Sequence, residues 1–129
     1  MSMGRPSIQL QTHKPKILVM DDDRDVRRIL SLLLGNEGFI VLTAKDGLDG
    51  LNRLKTERHV SLVLLDLHMP VMDGWEFLRQ KELSPRPIAD IPVIAISAVT
   101  SGPLDGAQMV LRKPFIPESL IDAIKRCLR

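Results

Sequence analysis

Tyrosine is absent from this chain and aromatic side chains make up only 3% of its 129 residues, so aliphatic side chains must fill whatever core it buries. Its one cysteine, Cys127, excludes an internal disulfide and a metal centre built on several thiolates, and it suits a reducing, cytoplasmic setting. No uninterrupted apolar run approaches the ~18 residues of a membrane helix, and Met1 to Lys16 lacks the apolar centre of a signal peptide, so no membrane partner is expected. Lys and Arg number 18 against 16 Asp and Glu, and a surplus of +2 is too small to make nucleic acid a direct partner. What is present, 44% hydrophobic and 26% charged residues over the length of one domain, is the composition of a single globular unit.

Met1 to Pro15 carries Gly4 and two prolines without a sustained period and reads as a flexible N-terminal lead-in, leaving residues 16–129 as the folded domain. Lys16 to Met20 is a short apolar run that stops at Asp21-Asp22-Asp23, the pattern of a strand buried on both faces. Val26, Ile29, Leu30 and Leu33 then follow helical spacing, with Gly35 and Gly38 placed to end the helix. The unit repeats. Phe39 to Leu42 predicts a second strand and Leu48, Leu51 and Leu54 a second helix. Val60 to Leu65 predicts a third strand ended by Asp66, and the turn-rich Met69 to Gly74 leads to a third helix through Trp75, Leu78 and Leu83. Ile91 to Ile96 predicts a fourth strand closing at Ser97, and Met109 to Leu111 a fifth before Lys113-Pro114. Pro117 opens a last amphipathic helix through Leu120, Ile121, Ile124 and Leu128. Apolar strands alternating with helices predict an α/β fold with a doubly wound parallel sheet, in which ligands bind at the carboxyl ends of the strands.

Asp21, Asp22, Asp66, Ser97 and Lys113 each follow an apolar strand, so the topology places them on that one edge. Taken singly, each has a plain reading as a helix cap, a turn former or a solvated charge. Taken together they do not, because chance would scatter them over both edges. Three clustered carboxylates repel by roughly 4 kcal/mol per pair at ~4 Å in an effective dielectric of ~20, and so call for a cation. An all-oxygen set suits a hard divalent ion such as Mg2+, and a metal, an ammonium and a hydroxyl around a carboxylate suit phosphoryl transfer.

These residues resemble the receiver domains of two-component response regulators. The resemblance covers Lys16 to Arg129 through Met20-Asp21-Asp22-Asp23, Leu64-Leu65-Asp66-Leu67-His68-Met69-Pro70, Met72-Asp73-Gly74, Ile96-Ser97-Ala98 and Arg112-Lys113-Pro114-Phe115. It implies a flavodoxin-like receiver fold with five parallel strands in the order 2-1-3-4-5. It also implies that Asp66 accepts a phosphoryl group from a histidine kinase or a histidine phosphotransfer protein. Mg2+ would be held by Asp21, Asp22, Asp66 and the backbone carbonyl of His68. Ser97 would bond the phosphoryl group and Lys113 would pair with it, with a cis bond to Pro114. Small Ala98 would leave access to the aspartate. No enzymatic turnover is expected beyond assistance to the domain's own phosphorylation and dephosphorylation.

The chain also departs from that pattern. Receivers usually place Tyr or Phe three residues before the lysine, and here Val110 stands there. Sixteen positions separate Ser97 from Lys113, several fewer than receivers spend on a fourth helix and its loops. Gly102, Pro103 and Gly106 disfavour a helix within that span, so helix four is expected to be short or missing.

Elsewhere, His13, His59 and His68 lack mutual ligand spacing, which argues against zinc. Cys127 reads as a packed thiol, Met69 and Met72 as cover for the site, and Arg24, Arg27 and Arg28 as a basic helix face on which a kinase or phosphotransfer bundle could dock. Arg129 follows the last helix directly, so the output is expected from another, unidentified downstream protein or from a further part of a longer one. Three functions compete on this reading: a phosphoacceptor receiver, a receiver-fold adaptor that switches weakly, and an aspartyl phosphatase. The last lacks the expected Asp-x-Asp-x-Thr run, since Asp21-Asp22-Asp23-Arg24-Asp25 carries no hydroxyl.

Overall fold

The five apolar runs become strands in the computed structural model, which describes residues 14–99 and 102–129. These are β1 (Lys16–Met20), β2 (Ile40–Ala44), β3 (Val60–Asp66), β4 (Val93–Ser97) and β5 (Met109–Arg112). All neighbours pair in parallel, in the expected order β2-β1-β3-β4-β5. Between them run α1 (Arg24–Asn36), α2 (Gly47–Thr56), α3 (Gly74–Glu82) and a 3-10 turn (Ile88–Asp90), and α4 (Pro117–Cys127) closes the chain.

Successive strand residues point to opposite faces, and each face has its own core. Leu18, Met20, Val63, Leu65, Val93 and Ala95 meet Leu51 and Leu54 of α2 and Phe77 and Leu78 of α3. Ile17, Val19, Leu62, Leu64 and Ile94 meet Leu30 and Leu34 of α1 and Leu120 and Ile124 of α4. This is why the strands read as unbroken apolar runs. The helix stripes fall differently from their predicted spacing. Ile29 is 63% and Leu48 49% exposed, and Leu34, which the stripe omitted, is fully buried. α1 also runs through Gly35, and the chain turns at Gly38, whose φ of 92° suits glycine.

Strand limits shift for reasons of hydrogen bonding. Phe39 precedes β2, which starts where the Ile40 N–H meets the carbonyl of Pro15 and continues to Ala44 opposite Met20. Ile91 caps the 3-10 turn, and Pro92 has no N–H to donate, so β4 starts at Val93. The expected lead-in lies outside the described residues except for Lys14 and Pro15. Among the described residues between Ser97 and Met109 there is no helix, in line with the short or missing helix four. Leu104 and Ala107 from this segment pack against the first core instead. No helix among the described residues is long and apolar enough to cross a membrane.

Candidate functional site

Strand register sets the site. Met20 pairs with Leu65, Asp66 with Ile96 and Ser97 with Arg112. Asp21 and Asp66 therefore leave the sheet level with each other at its carboxyl edge, with Ser97 one position and Lys113 two positions further along, on strands ~4.8 Å apart. Carboxylate oxygens of Asp21, Asp22 and Asp66 all lie within 4.8 Å of each other. Asp21 and Asp66 are 3% and 7% exposed, while Asp22 faces solvent.

The remaining acids of these loops have other work. Asp23 caps α1 by accepting the N–H groups of Asp25 at 2.8 Å and Val26 at 3.4 Å. Asp46 caps α2 through Asp49 N–H at 2.8 Å, and Asp73 caps α3 through Glu76 N–H at 2.9 Å. The cap reading holds for these three and not for Asp21, Asp22 or Asp66.

Burial pushes the Asp21 carboxyl above its ordinary value. The Asp23 N–H, donating to Asp21 Oδ1 at 2.9 Å, opposes that shift; the Asp66 carboxylate adds to it, the Lys113 ammonium offsets it, and Asp22 adds again. Lys113 Nζ stands 3.8 Å from Asp21 Oδ2. Asp66 Oδ1 accepts the His68 N–H at 3.1 Å, which fixes one carboxylate oxygen against the following loop. Ser97 is fully buried; its Oγ accepts the Val99 N–H at 3.1 Å and its carbonyl accepts the Lys113 N–H at 2.8 Å. That second bond ties the hydroxyl strand to the lysine strand. Ala98 is exposed, and the Lys113-Pro114 bond is cis, as is Arg86-Pro87, which nothing in the sequence singled out.

Three supporting residues escaped the sequence reading. Arg27 was grouped with Arg24 and Arg28, yet it is half-buried and its Nη1 donates to the Asp21 carbonyl at 2.8 Å. Gly74 seats α3 on the end of β3: a Cβ there would stand 2.7 Å from Leu67 Cα and 3.0 Å from the Asp66 carbonyl oxygen. The Asp73-Gly74 turn signal located the helix start but not that contact. Trp75, 41% exposed, meets the His68 ring edge-to-face, centroids 5.2 Å apart. Met69 and Met72, expected to cover the site, instead pack into or against the first core, and the Met72 carbonyl accepts the Gly47 N–H at 3.0 Å. Cys127 is half-buried against the second core, and burial raises its thiol pKa, which keeps it a poor nucleophile. His59 and His68 are exposed and lie outside any metal-ligating cluster among the described residues; His13 is outside those residues. Val110 is half-buried against the first core, opposite Ala95.

The chain is similar to known proteins in sequence and fold. The family profile described as the response regulator receiver domain matches residues 17–125. A probable transcriptional regulator, ycf27, of Porphyridium aerugineum is 38% identical over 122 residues, covering 90% of this chain and 49% of that protein. A homolog of the transcriptional regulatory protein CpxR from Haemophilus influenzae is 40% identical over 121 residues, covering 88% of this chain and 50% of its own length. This chain thus spans about half the length of these curated relatives. The chemotaxis response regulator CheY4 of Vibrio cholerae superposes with a TM-score of 0.80 at 30% identity, covering 90% of this chain and all of that one. With its sheet order, its acidic edge and these matches taken together, the chain belongs to the response regulator receiver domain family.

Proposed function

We propose that Asp66 accepts a phosphoryl group from the phosphohistidine of a histidine kinase or a histidine phosphotransfer protein in the cytoplasm. Asp21, Asp22, Asp66 and the backbone carbonyl of His68 would hold Mg2+. The observation that carries this reading is the gathering of three carboxylates within 4.8 Å, with an ammonium 3.8 Å from one of them. The donor set fits the ion. Oxygens on opposite sides of an octahedral Mg2+ stand about 4.2 Å apart, so carboxylates at the present spacing reach it by small side-chain rotations. Once bound, Mg2+ neutralises carboxylate charge and polarises phosphoryl oxygens.

The chain's own residues divide the rest of the work. An Asp66 carboxylate oxygen bonds to phosphorus in line as the phosphorus–nitrogen bond of the donor breaks, and that electron pair leaves with the imidazole, which takes up a proton. Lys113, on the strand tied to Ser97, balances the charge brought to the buried edge. The Ser97 hydroxyl donates to a phosphoryl oxygen, and exposed Ala98 leaves the approach open. Exposed Arg24 and Arg28 on α1, beside exposed Ile29, offer the donor a mixed basic and apolar docking face. The readout is ordering of the segment between Ser97 and Arg112, which changes the affinity of a downstream protein. Turnover of other substrates forms no part of this reading.

Acetyl phosphate with Mg2+, followed by intact mass, tests the proposal. One phosphoryl adduct that disappears in Asp66→Asn is expected, and its absence from the wild-type protein under saturating donor refutes it. For the readout, chemical shifts should move between Ser97 and Arg112 on adding beryllofluoride. Val110, held against the core where receivers usually place an aromatic, favours a second reading as an adaptor. In that case partner binding is the same for the wild type and Asp66→Asn.

A further inference from the structure

At the amino-terminal edge of the sheet, opposite the acidic site, a groove of about 410 Å3 runs between the end of α2, the start of β3 and the 3-10 turn. Its floor is aliphatic: Leu54 and Val60 are buried, Ile88 and Ile91 half-buried. Its mouth carries cations, the exposed side chains of Lys55 and Arg58, with exposed His59 beside them. Among the described residues neither Lys55 nor Arg58 has a carboxylate within ion-pair distance. The one acid in the lining, Glu57, is engaged by Lys16 at 3.6 Å. His59 holds a φ of 61° although it is not glycine, a conformation that costs energy and gathers at ligand sites.

We propose that this groove binds a small amphiphilic carboxylate, its apolar chain or ring on the aliphatic floor and its head held by Arg58 and Lys55. The volume falls in the range of small-molecule clefts, which are largely apolar with a few placed polar groups. The Arg58 guanidinium presents a fork that matches a carboxylate, and Lys55 supplies a second charge beside it. A lipid headgroup shares this chemistry, but the groove is a concavity whose floor lies below the charged mouth. A bilayer would have to release its chains to fill it, so the occupant assigned is a free acid. The groove lies at the opposite edge from Asp66, so this inference stands apart from the phosphoryl chemistry.

An NMR titration of the whole chain with hexanoate, octanoate, decanoate and decanol tests it. Saturable shifts confined to residues 54–60 and 87–91 are expected, with affinity rising up to roughly fourfold per added methylene, the equivalent of ~0.8 kcal/mol. Decanol should bind about tenfold more weakly than decanoate, and Arg58→Glu should weaken decanoate about tenfold while Arg58→Lys retains most of the affinity. Arg58 is exposed, so unchanged thermal melts will show that both variants fold. No saturable response to any of the acids at millimolar concentration, or equal affinity for decanol and decanoate, overturns the proposal. Co-sedimentation with phosphatidylglycerol vesicles without a response to free decanoate overturns it in favour of headgroups.

Discussion

Replacing Asp21 by Asn should make the metal-free protein more stable and take away its stabilisation by Mg2+. Asp21 is 3% exposed, and its oxygens lie within 4.8 Å of those of Asp66 and Asp22. At an effective dielectric of ~20 each such pair repels by roughly 3 kcal/mol, and Lys113 at 3.8 Å returns roughly 4 kcal/mol of attraction. Asp22 and Lys113 are partly solvated, so screening trims both sides, and a net relief of about 1–2 kcal/mol remains. The substitution keeps an oxygen for the Asp23 N–H. For a domain of this size that relief is a rise in Tm of about 3–10 °C in EDTA, read by differential scanning calorimetry. The folded Asp21 carboxyl titrates above its unfolded value, so the native state binds the extra proton as pH falls. The penalty on the wild type is therefore full at pH 7 and fades as pH drops through the folded pKa towards ~3.9, closing the gap between the two proteins. Mg2+ at about one hundred times its dissociation constant should add about 2.7 kcal/mol to the wild type and much less to the variant. A variant that melts below the wild type in EDTA at pH 7, or a gap that is flat between pH 4 and 7, refutes the reasoning.

Other substitutions probe the supports. Gly74→Ala forces a methyl against Leu67 Cα and the Asp66 carbonyl, so urea melts should show about 1–3 kcal/mol lost and phosphoryl uptake should fall with it. Phe77→Ala empties the largest fully buried side chain of the first core, and chemical denaturation should register a loss of about 3–5 kcal/mol. Lys81 is 4% exposed, and burial lowers its ammonium pKa, so the wild type carries a cost at neutral pH that is relieved as pH rises through the folded pKa towards ~10.4. Relative to Lys81→Met, wild-type stability should therefore climb with pH, and parallel curves would contradict that account.

The edge constellation was legible because its cause is local. Each of the first, third and fourth strands ends its apolar run on a polar residue, and the parallel register brings those ends level without further instruction. The division of labour among the acids was not. Asp21 and Asp23 are chemically alike and two residues apart, and only the direction of α1 decides that Asp23 meets its own helix N–H groups while Asp21 turns to Asp66. Ile29 and Leu48 misled for a related reason: helical spacing selects a stripe about 100° wide, and the width the sheet covers depends on how far each helix rolls. Lys81 and Arg27 were invisible for another, since a long side chain can bury its stem and still find a carbonyl, Ala89 for one and Asp21 for the other. Gly74 matters through a contact with residues up to eight positions away, which composition does not encode.

The passage from β4 to β5 shows how a receiver sheet closes with so little chain in that interval. A fourth helix would cover the first core beside β5, and that surface must still be hidden from water. Leu104 and Ala107 do so from an irregular segment, at the cost of backbone groups that no helix satisfies. Gln108 meets part of that cost: its N–H donates to the Val93 carbonyl at 2.8 Å and its side-chain oxygen accepts the Val93 N–H at 2.6 Å, so one residue closes both ends of Val93. At the other end the Ser97 carbonyl holds the Lys113 N–H, and the Ser97 hydroxyl holds Val99. The segment is thus pinned at both ends of β4, and its carboxyl-end pin is made by the same serine that is proposed to bond the phosphoryl group. When Ser97 Oγ moves toward that group to donate its proton, the Val99 N–H must follow the oxygen or lose its partner, which couples the chemistry to the segment directly and needs no rotating aromatic at position 110. Ser97→Ala should therefore blunt the shifts between 98 and 108 on adding beryllofluoride while Asp66 still takes up phosphoryl groups, and a full response from that variant would break the link.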